Sequence, residues 1–165
     1  MAFSQRRGDR SKNLVGFTVG DVHYAVDILR VKEIVTPRDI VPIPHPPPAV
    51  LGVSDHRGEV VPVIDLRRRF GLPSLGSGRR TKWVFVGVDE RRVALVVDSV
   101  TEVFAAGPQD QRAVPEMGMG DQERGIGAVY SYSDHLVFVL DVERIAAVTE
   151  EMDLSGLEKL VEKST

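Results

Sequence analysis

The 165-residue chain contains no cysteine, which removes disulfides and thiolate metal ligands from consideration and points to a reducing compartment, the cytoplasm. Aromatic residues make up only 6% of it, with a single tryptophan, too few for the row of stacking platforms that holds single-stranded nucleic acid. An excess of positive charge is also missing. Its 21 Lys and Arg are outnumbered by 24 Asp and Glu, giving a formal net charge of -3 and no bulk attraction to phosphate or anionic lipid. Nucleic acid is therefore not an expected partner. No apolar run comes near the roughly 20 residues that span a bilayer, and the opening MAFSQRRGDRSKN lacks the apolar segment of a secretory signal. A protein without direct membrane insertion is expected.

Short runs rich in Val and Ile dominate instead. LVGFTV, VHYAVDI, VKEIV, EVVPVIDL, KWVFVGV, RVALVVDSV, EVFAA, IGAVYSY and HLVFVLDV read as strands, separated by turn chemistry at Gly20-Asp21, Arg57-Gly58, Asp89-Glu90 and Ser133-Asp134. The class is all-β. Residues 1–13 carry Arg6, Arg7, Arg10 and Lys12 with almost no apolar content and read as a disordered basic tail. Residues 14–148 form the folded domain, and 149–165 a C-terminal helical segment in which Ser155 and Glu158 have capping-box spacing. A second, short helix is expected after IDLRRRF, ending at Gly71.

The chain repeats itself. A shift of 69 residues lays AVDILRVKEI from Ala25 on ALVVDSVTEV from Ala94, and a shift of 76 lays VVPVIDL on LVFVLDV with Asp65 and Asp141 in register. Two similar barrels follow from this. The unequal shifts are assigned to Arg57-Gly58-Glu59, read as a lengthening of the first hairpin connection.

A Ser-Asp-His triplet occurs twice, at Ser54-Asp55-His56 and Ser133-Asp134-His135. Catalytic triads converge in space from separate segments, whereas adjacent strand residues point to opposite faces, so both triplets read as turn chemistry. A hydrolase using Ser54 or Ser133 remains the enzymatic alternative, without a Gly-x-Ser-x-Gly elbow to support it. His23, His45, His56 and His135 show no metal-ligand spacing, and no glycine-rich phosphate loop sits between a strand and a helix, so neither metal nor cofactor is expected. A small nucleic-acid-binding barrel is the remote alternative; Phe85, Phe104 and Phe138 read as core, Trp83 and Tyr132 as the exposed aromatics, and Arg67, Arg68 and Arg69 as a solvated face.

Five segments in order carry a more specific signal: FTVGDVHYAVDILRVKEI (Phe17 to Ile34), IVPIPHPPPAVLGV (Ile40 to Val53), HRGEVVPVIDLRRRF (His56 to Phe70), RVALVVDSVTEV (Arg92 to Val103) and GAVYSYSDHLVFVLDVERI. From about Leu14 to Val148 the chain resembles CheW, the coupling protein of bacterial chemosensory arrays. The resemblance implies two intertwined five-stranded SH3-like β-barrels and no enzymatic activity. It also implies a cytoplasmic scaffold, recruited to membrane-associated receptor arrays, that links the tip of a methyl-accepting chemoreceptor to the regulatory domain of the histidine kinase CheA. An adaptor of the same fold serving a dedicated kinase in motility or gene regulation is the nearest alternative.

The resemblance also implies partner-binding positions. Glu33 and Arg57 match a functionally required ion pair, with Gly58 allowing the sharp turn beside it; Arg57 suits this because its planar guanidinium holds a carboxylate in fixed geometry. Val31, Gly52 and Val100 match positions of a groove between the barrels that receives the helical receptor tip. Val31 and Val100 are equally open to ordinary core packing. Lys82 and Trp83 match a further contact position, where Trp83 either anchors a partner or caps the core. Asp55-His56 departs from the usual Asn-Leu of the family, and His56 is read as a solvent-exposed residue. The stretch Gly107 to Gly125 is long, charged and glycine-rich, a partner-selecting or mobile loop.

Overall fold

The computed structural model describes residues 11–114 and 125–152. The C-terminal helix expected at Ser155 and nearly all of the basic tail lie outside these residues, whereas Lys12 and Asn13 already pair with Ala106 and Ala105. The described strands are β1 (Lys12–Val19), β2 (Val22–Asp27), β3 (Val31–Val35), β4 (Val50–His56), β5 (Glu59–Asp65), β6 (Lys82–Val88), β7 (Arg91–Val97), β8 (Ser99–Ala106), β9 (Gln111–Arg112), β10 (Ile126–Tyr132) and β11 (His135–Leu140). All four expected turns join neighbouring strands, and Arg57, Ser133 and Asp134 take the positive φ that two-residue hairpins require.

Two sheets result, one in the order β8-β1-β2-β11-β10-β9 and one in the order β3-β6-β7-β5-β4. Each mixes strands from both halves of the chain. In one, β2 runs parallel to β11, with Ala25 opposite Val139; in the other, β7 runs parallel to β5, with Ala94 opposite Val63. The two edge strands match as well: Val100 of β8 faces Phe17, and Val31 of β3 faces Val86. The repeat seen in the sequence is thus a swap in which β1 and β2 complete the sheet of the second half, and β6 and β7 that of the first.

The origin of the unequal shifts is corrected by the register. His56 pairs with Glu59 and Tyr132 with His135, so both hairpins close with two residues and neither is lengthened. The additional residues lie between β8 and β10, which are joined by residues 107–125, where β3 and β4 are joined by residues 36–49. Lengthening a connection between strands has a small entropic cost, whereas adding an odd number of residues to a paired hairpin would shift every side chain to the wrong face.

Side-chain alternation divides most of the interior into three, with a small fourth cluster at Val53 and Val60. Val15, Phe17 and Val19 of β1, with Val84, Val86 and Val88 of β6, face a central core shared by both sheets. Leu14 with Ala25 and Phe104 fills one barrel; Trp83 with Ala94 and Phe85 fills the other. Each strand of the β1 and β6 pair is buried on both faces, which is why these runs are apolar nearly throughout. Burial of each such Val, Leu or Phe side chain contributes about 1.5–3 kcal/mol. Two short helices follow the β5 and β11 strands: α1 (Leu66–Arg69) and α2 (Val142–Ala146). Their N-caps are Asp65 and Asp141, whose carboxylates accept from Arg67 N at 3.1 Å and from Glu143 N at 3.1 Å. The coincidence of these two aspartates in the repeat is a coincidence of caps. The helix α1 starts within IDLRRRF rather than after it, because Asp65 caps it there.

Candidate functional site

The site is built at the end of the barrel formed by the β3-β6-β7-β5-β4 sheet. Glu33 projects from edge strand β3 opposite Phe85, and the β4–β5 hairpin brings His56 and Arg57 to it. Arg57 Nη2 donates to Glu33 Oε1 at 3.1 Å, and His56 Nε2 lies 2.9 Å from Glu33 Oε2. On the far side of the ring, Arg38 Nη1 lies 3.2 Å from His56 Nδ1. A guanidinium only donates, so Nδ1 accepts, and the ring proton belongs on Nε2, where it donates to the carboxylate. The four side chains form a single line, Arg38 to His56 to Glu33, with Arg57 on the remaining oxygen.

The environments of the members differ sharply. The Arg57 side chain is 72% exposed and that of Glu33 26%, whereas His56 is only 1% exposed and stacks on Phe85 with ring centroids 4.4 Å apart. His56 is therefore a buried residue, contrary to the exposed position expected. The reason lies in β4, a strand that was not recognised from its composition. A bulge between Val50 and Gly52 resets the alternation, after which Ser54 and His56 point inward and Asp55 outward. The triplet Ser54-Asp55-His56 accordingly sits in a strand, not a turn. Ser54 Oγ donates to the Asp39 carbonyl at 3.0 Å, and Asp55 accepts from Gly58 N at 3.0 Å, closing the hairpin. The second triplet, with Ser133 and Asp134 at its turn, is as expected.

Gly58 has φ 84° and open space around it, so its requirement is the dihedral alone. Gly52 has φ 151°, and a Cβ there would collide with the Val41 carbonyl. The close approach it permits is to the proline-bounded segment of its own chain, which pairs with β4 through Val41 and Val53. Val31 and Val100 are half-buried and pack on the central core from the two edge strands. Trp83 is 1% exposed, inside the barrel where Leu14 sits in the other, and Tyr132 is half-buried, stacked on Phe104 with ring centroids 4.1 Å apart, so the reading of both as exposed aromatics is corrected. Lys82 opens β6, three residues before the Phe85 that faces Glu33. The structure thus gathers Glu33, Arg57 and Gly58 at one end, and adds Arg38 and His56, which residue spacing did not single out. Alternation with Ser54 across the Gly52 bulge is the signal that marks His56 as buried.

The other barrel carries the same positions with different residues. Glu102 on β8 stands where Glu33 stands on β3, and Tyr132 where His56 stands. Burial and then the Glu102 carboxylate, which accepts from its hydroxyl, raise the Tyr132 phenol above its ordinary value. Ser133 occupies the Arg57 position, so the guanidinium is confined to one barrel. Elsewhere, an apolar groove of about 570 Å³ is lined by Val19, Tyr24, Phe70, Leu72, Ile126 and Phe138. Arg67 at its rim is held by Asp98 through Nε at 2.9 Å and Nη2 at 2.8 Å. Among the described residues, no group of three or more His, Cys, Asp or Glu side chains is placed to hold a metal ion, and no helix is long and apolar enough to cross a membrane.

The chain has counterparts among known proteins. The family model described as the CheW-like domain matches residues 13–150, nearly the whole described chain and every candidate position. The chain belongs to the CheW-like family. This CheW-like chain is 33% identical over 141 residues to the chemotaxis protein CheW of Helicobacter pylori, covering 86% of this chain and 85% of that protein. It is 31% identical over 153 residues to the chemotaxis protein CheW of Treponema pallidum, covering 90% of each. The crystal structure of the scaffolding protein TtCheW from Thermoanaerobacter tengcongensis superposes on the CheW-like fold with a TM-score of 0.71 at 27% identity, covering 78% of this chain and 88% of that one.

Proposed function

We propose that the chain is a non-enzymatic scaffold of bacterial chemosensory signalling that joins the cytoplasmic tip of a methyl-accepting chemoreceptor to the regulatory domain of a CheA-type histidine kinase. The observation that carries this reading is the Glu33–Arg57 pair at 3.1 Å on the hairpin of one barrel, in a chain of the CheW-like family. An exposed ion pair of this kind contributes at most about 1 kcal/mol to folding. Its value is orientational: a fork of N–H donors held at the mouth of a rigid barrel sets the register of a partner. Edge strands β3 and β8 place Val31 and Val100 symmetrically about the central core, a geometry suited to a helix laid along the seam. Arg57, Gly58 and Lys82 would meet the kinase, and Gly52 and Trp83 would act from within, by shaping the hairpin and the barrel wall. The protein would work in the cytoplasm and be recruited to receptor arrays.

Interfaces of this type are modest and gain strength by multivalency, so a membrane-based assay suits them. Co-sedimentation of the cognate kinase with receptor-containing membranes is expected to rise when the protein is added. Kinase recovery unchanged by the protein across a full titration would contradict the proposal.

A further inference from the structure

The Glu33 carboxylate has two partners of opposite character. One, Arg57, is on the outside and solvated; the other, His56, is buried, stacked on Phe85, and itself fixed by Arg38. A carboxylate held only by a solvated arginine loses its orientation once that arginine moves, because nothing else restrains its terminal torsion. Here the second oxygen has a partner of its own, His56 Nε2 at 2.9 Å. His56 contributes without carrying a charge of its own: with Nδ1 accepting from Arg38, it presents a single N–H to Glu33 and relays the polarisation of the Arg38 cation.

Resting on the coupling function proposed above, we propose that His56, locked by Arg38, is a positioning residue that keeps Glu33 aimed when Arg57 is drawn away to an acidic group of the partner. The Glu33–Arg57 pair is then exchangeable rather than fixed. Arg57 reaches outward on a hairpin tip whose glycine has no neighbour to obstruct it, while Glu33 retains a buried donor and is never left uncompensated. Without His56, transfer of Arg57 to the partner strands Glu33, and that cost opposes binding. The other barrel has no guanidinium to exchange, since Ser133 stands where Arg57 does, although Tyr132 donates to Glu102 as His56 does to Glu33. Exchange of this kind is therefore confined to one end of the molecule.

The test is a set of dissociation constants for the cognate kinase regulatory domain, measured by calorimetry with the full chain carrying no change, Arg57→Ala, His56→Leu, His56→Gln or Arg38→Gln. A hydrogen bond to a charged group accounts for about a tenfold change in affinity. His56→Leu is expected to weaken binding about tenfold on that scale, and His56→Gln, whose amide N–H reaches the position of Nε2, to restore it. Arg38→Gln should fall between these. Thermal melting of each variant reports folding separately, and the glutamine variants keep the test decisive if the leucine variant melts early. If Arg57→Ala weakens binding while His56→Leu and Arg38→Gln bind like the unaltered chain, the positioning role is overturned and the coupling function stands. If the unaltered chain itself does not bind at the highest concentration reached, the coupling function fails, and this inference with it.

Discussion

At the scale of single residues, the molecule shows how a position can be essential for reasons internal to the chain. Gly52 permits the Val41 carbonyl to approach β4, so its replacement strains both the dihedral and the contact. Gly52→Ala is expected to lower stability by about 2 kcal/mol, read as an earlier denaturation midpoint with unchanged slope; a midpoint equal to that of the unaltered chain would show that the segment yields freely. Asp98 makes a different case. Burial pushes its carboxyl up, but hydrogen bonds from Arg67 and from Gly20 N, with the Arg67 charge, outweigh this and leave it below its ordinary value. A carboxyl depressed on folding adds stability that is complete above its unfolded value and is lost as pH falls through the folded one. Asp98→Asn should therefore cost about 2 kcal/mol near neutrality, and its deficit in melting temperature should shrink as acid protonates the depressed carboxyl. A deficit independent of pH would contradict the bidentate pairing.

At the scale of elements, the sequence was legible wherever the alternation of apolar residues was unbroken. The runs at β1, β2, β6, β7 and β11, and all four tight turns, follow directly from it. Strand β4 was missed because Gly52, Ser54 and Asp55 are poor strand formers, and pairing with β5 together with burial overrides that preference. The boundary between β7 and β8 was placed three residues late, because Asp98 breaks the ladder by turning its carboxylate to Gly20 and Arg67. For the site, Glu33 and Arg57 were visible through family motifs. Arg38 was not, since it lies outside any strand and reaches the site only through the path of the proline-bounded segment. The helices obey local rules throughout. Asp141 accepts from both Glu143 N and Arg144 N, so Asp141→Ala should cost about 1 kcal/mol, measured by thermal melting. No measurable cost would mean that packing of Ile145 alone sets the helix.

At the scale of the whole molecule, the swap of strand pairs between sheets ties the barrels together. Neither barrel is complete without strands from the other half of the chain, and both rest on one central core. Unfolding is therefore expected to be a single transition, with Trp83 fluorescence reporting one barrel and far-ultraviolet circular dichroism both. Two separated midpoints would show that the barrels unfold independently. Rigidity of this kind suits a coupler, because a partner held at one end is held in fixed relation to the other.

The most direct measurement is phosphorylation of the cognate CheA-type kinase on receptor-containing membranes, with the protein, without it, and with Arg57→Glu. The coupling function predicts that the unaltered protein raises kinase output and that Arg57→Glu, which places a second carboxylate beside Glu33, does not. Kinase output that is the same with and without the unaltered protein would contradict it.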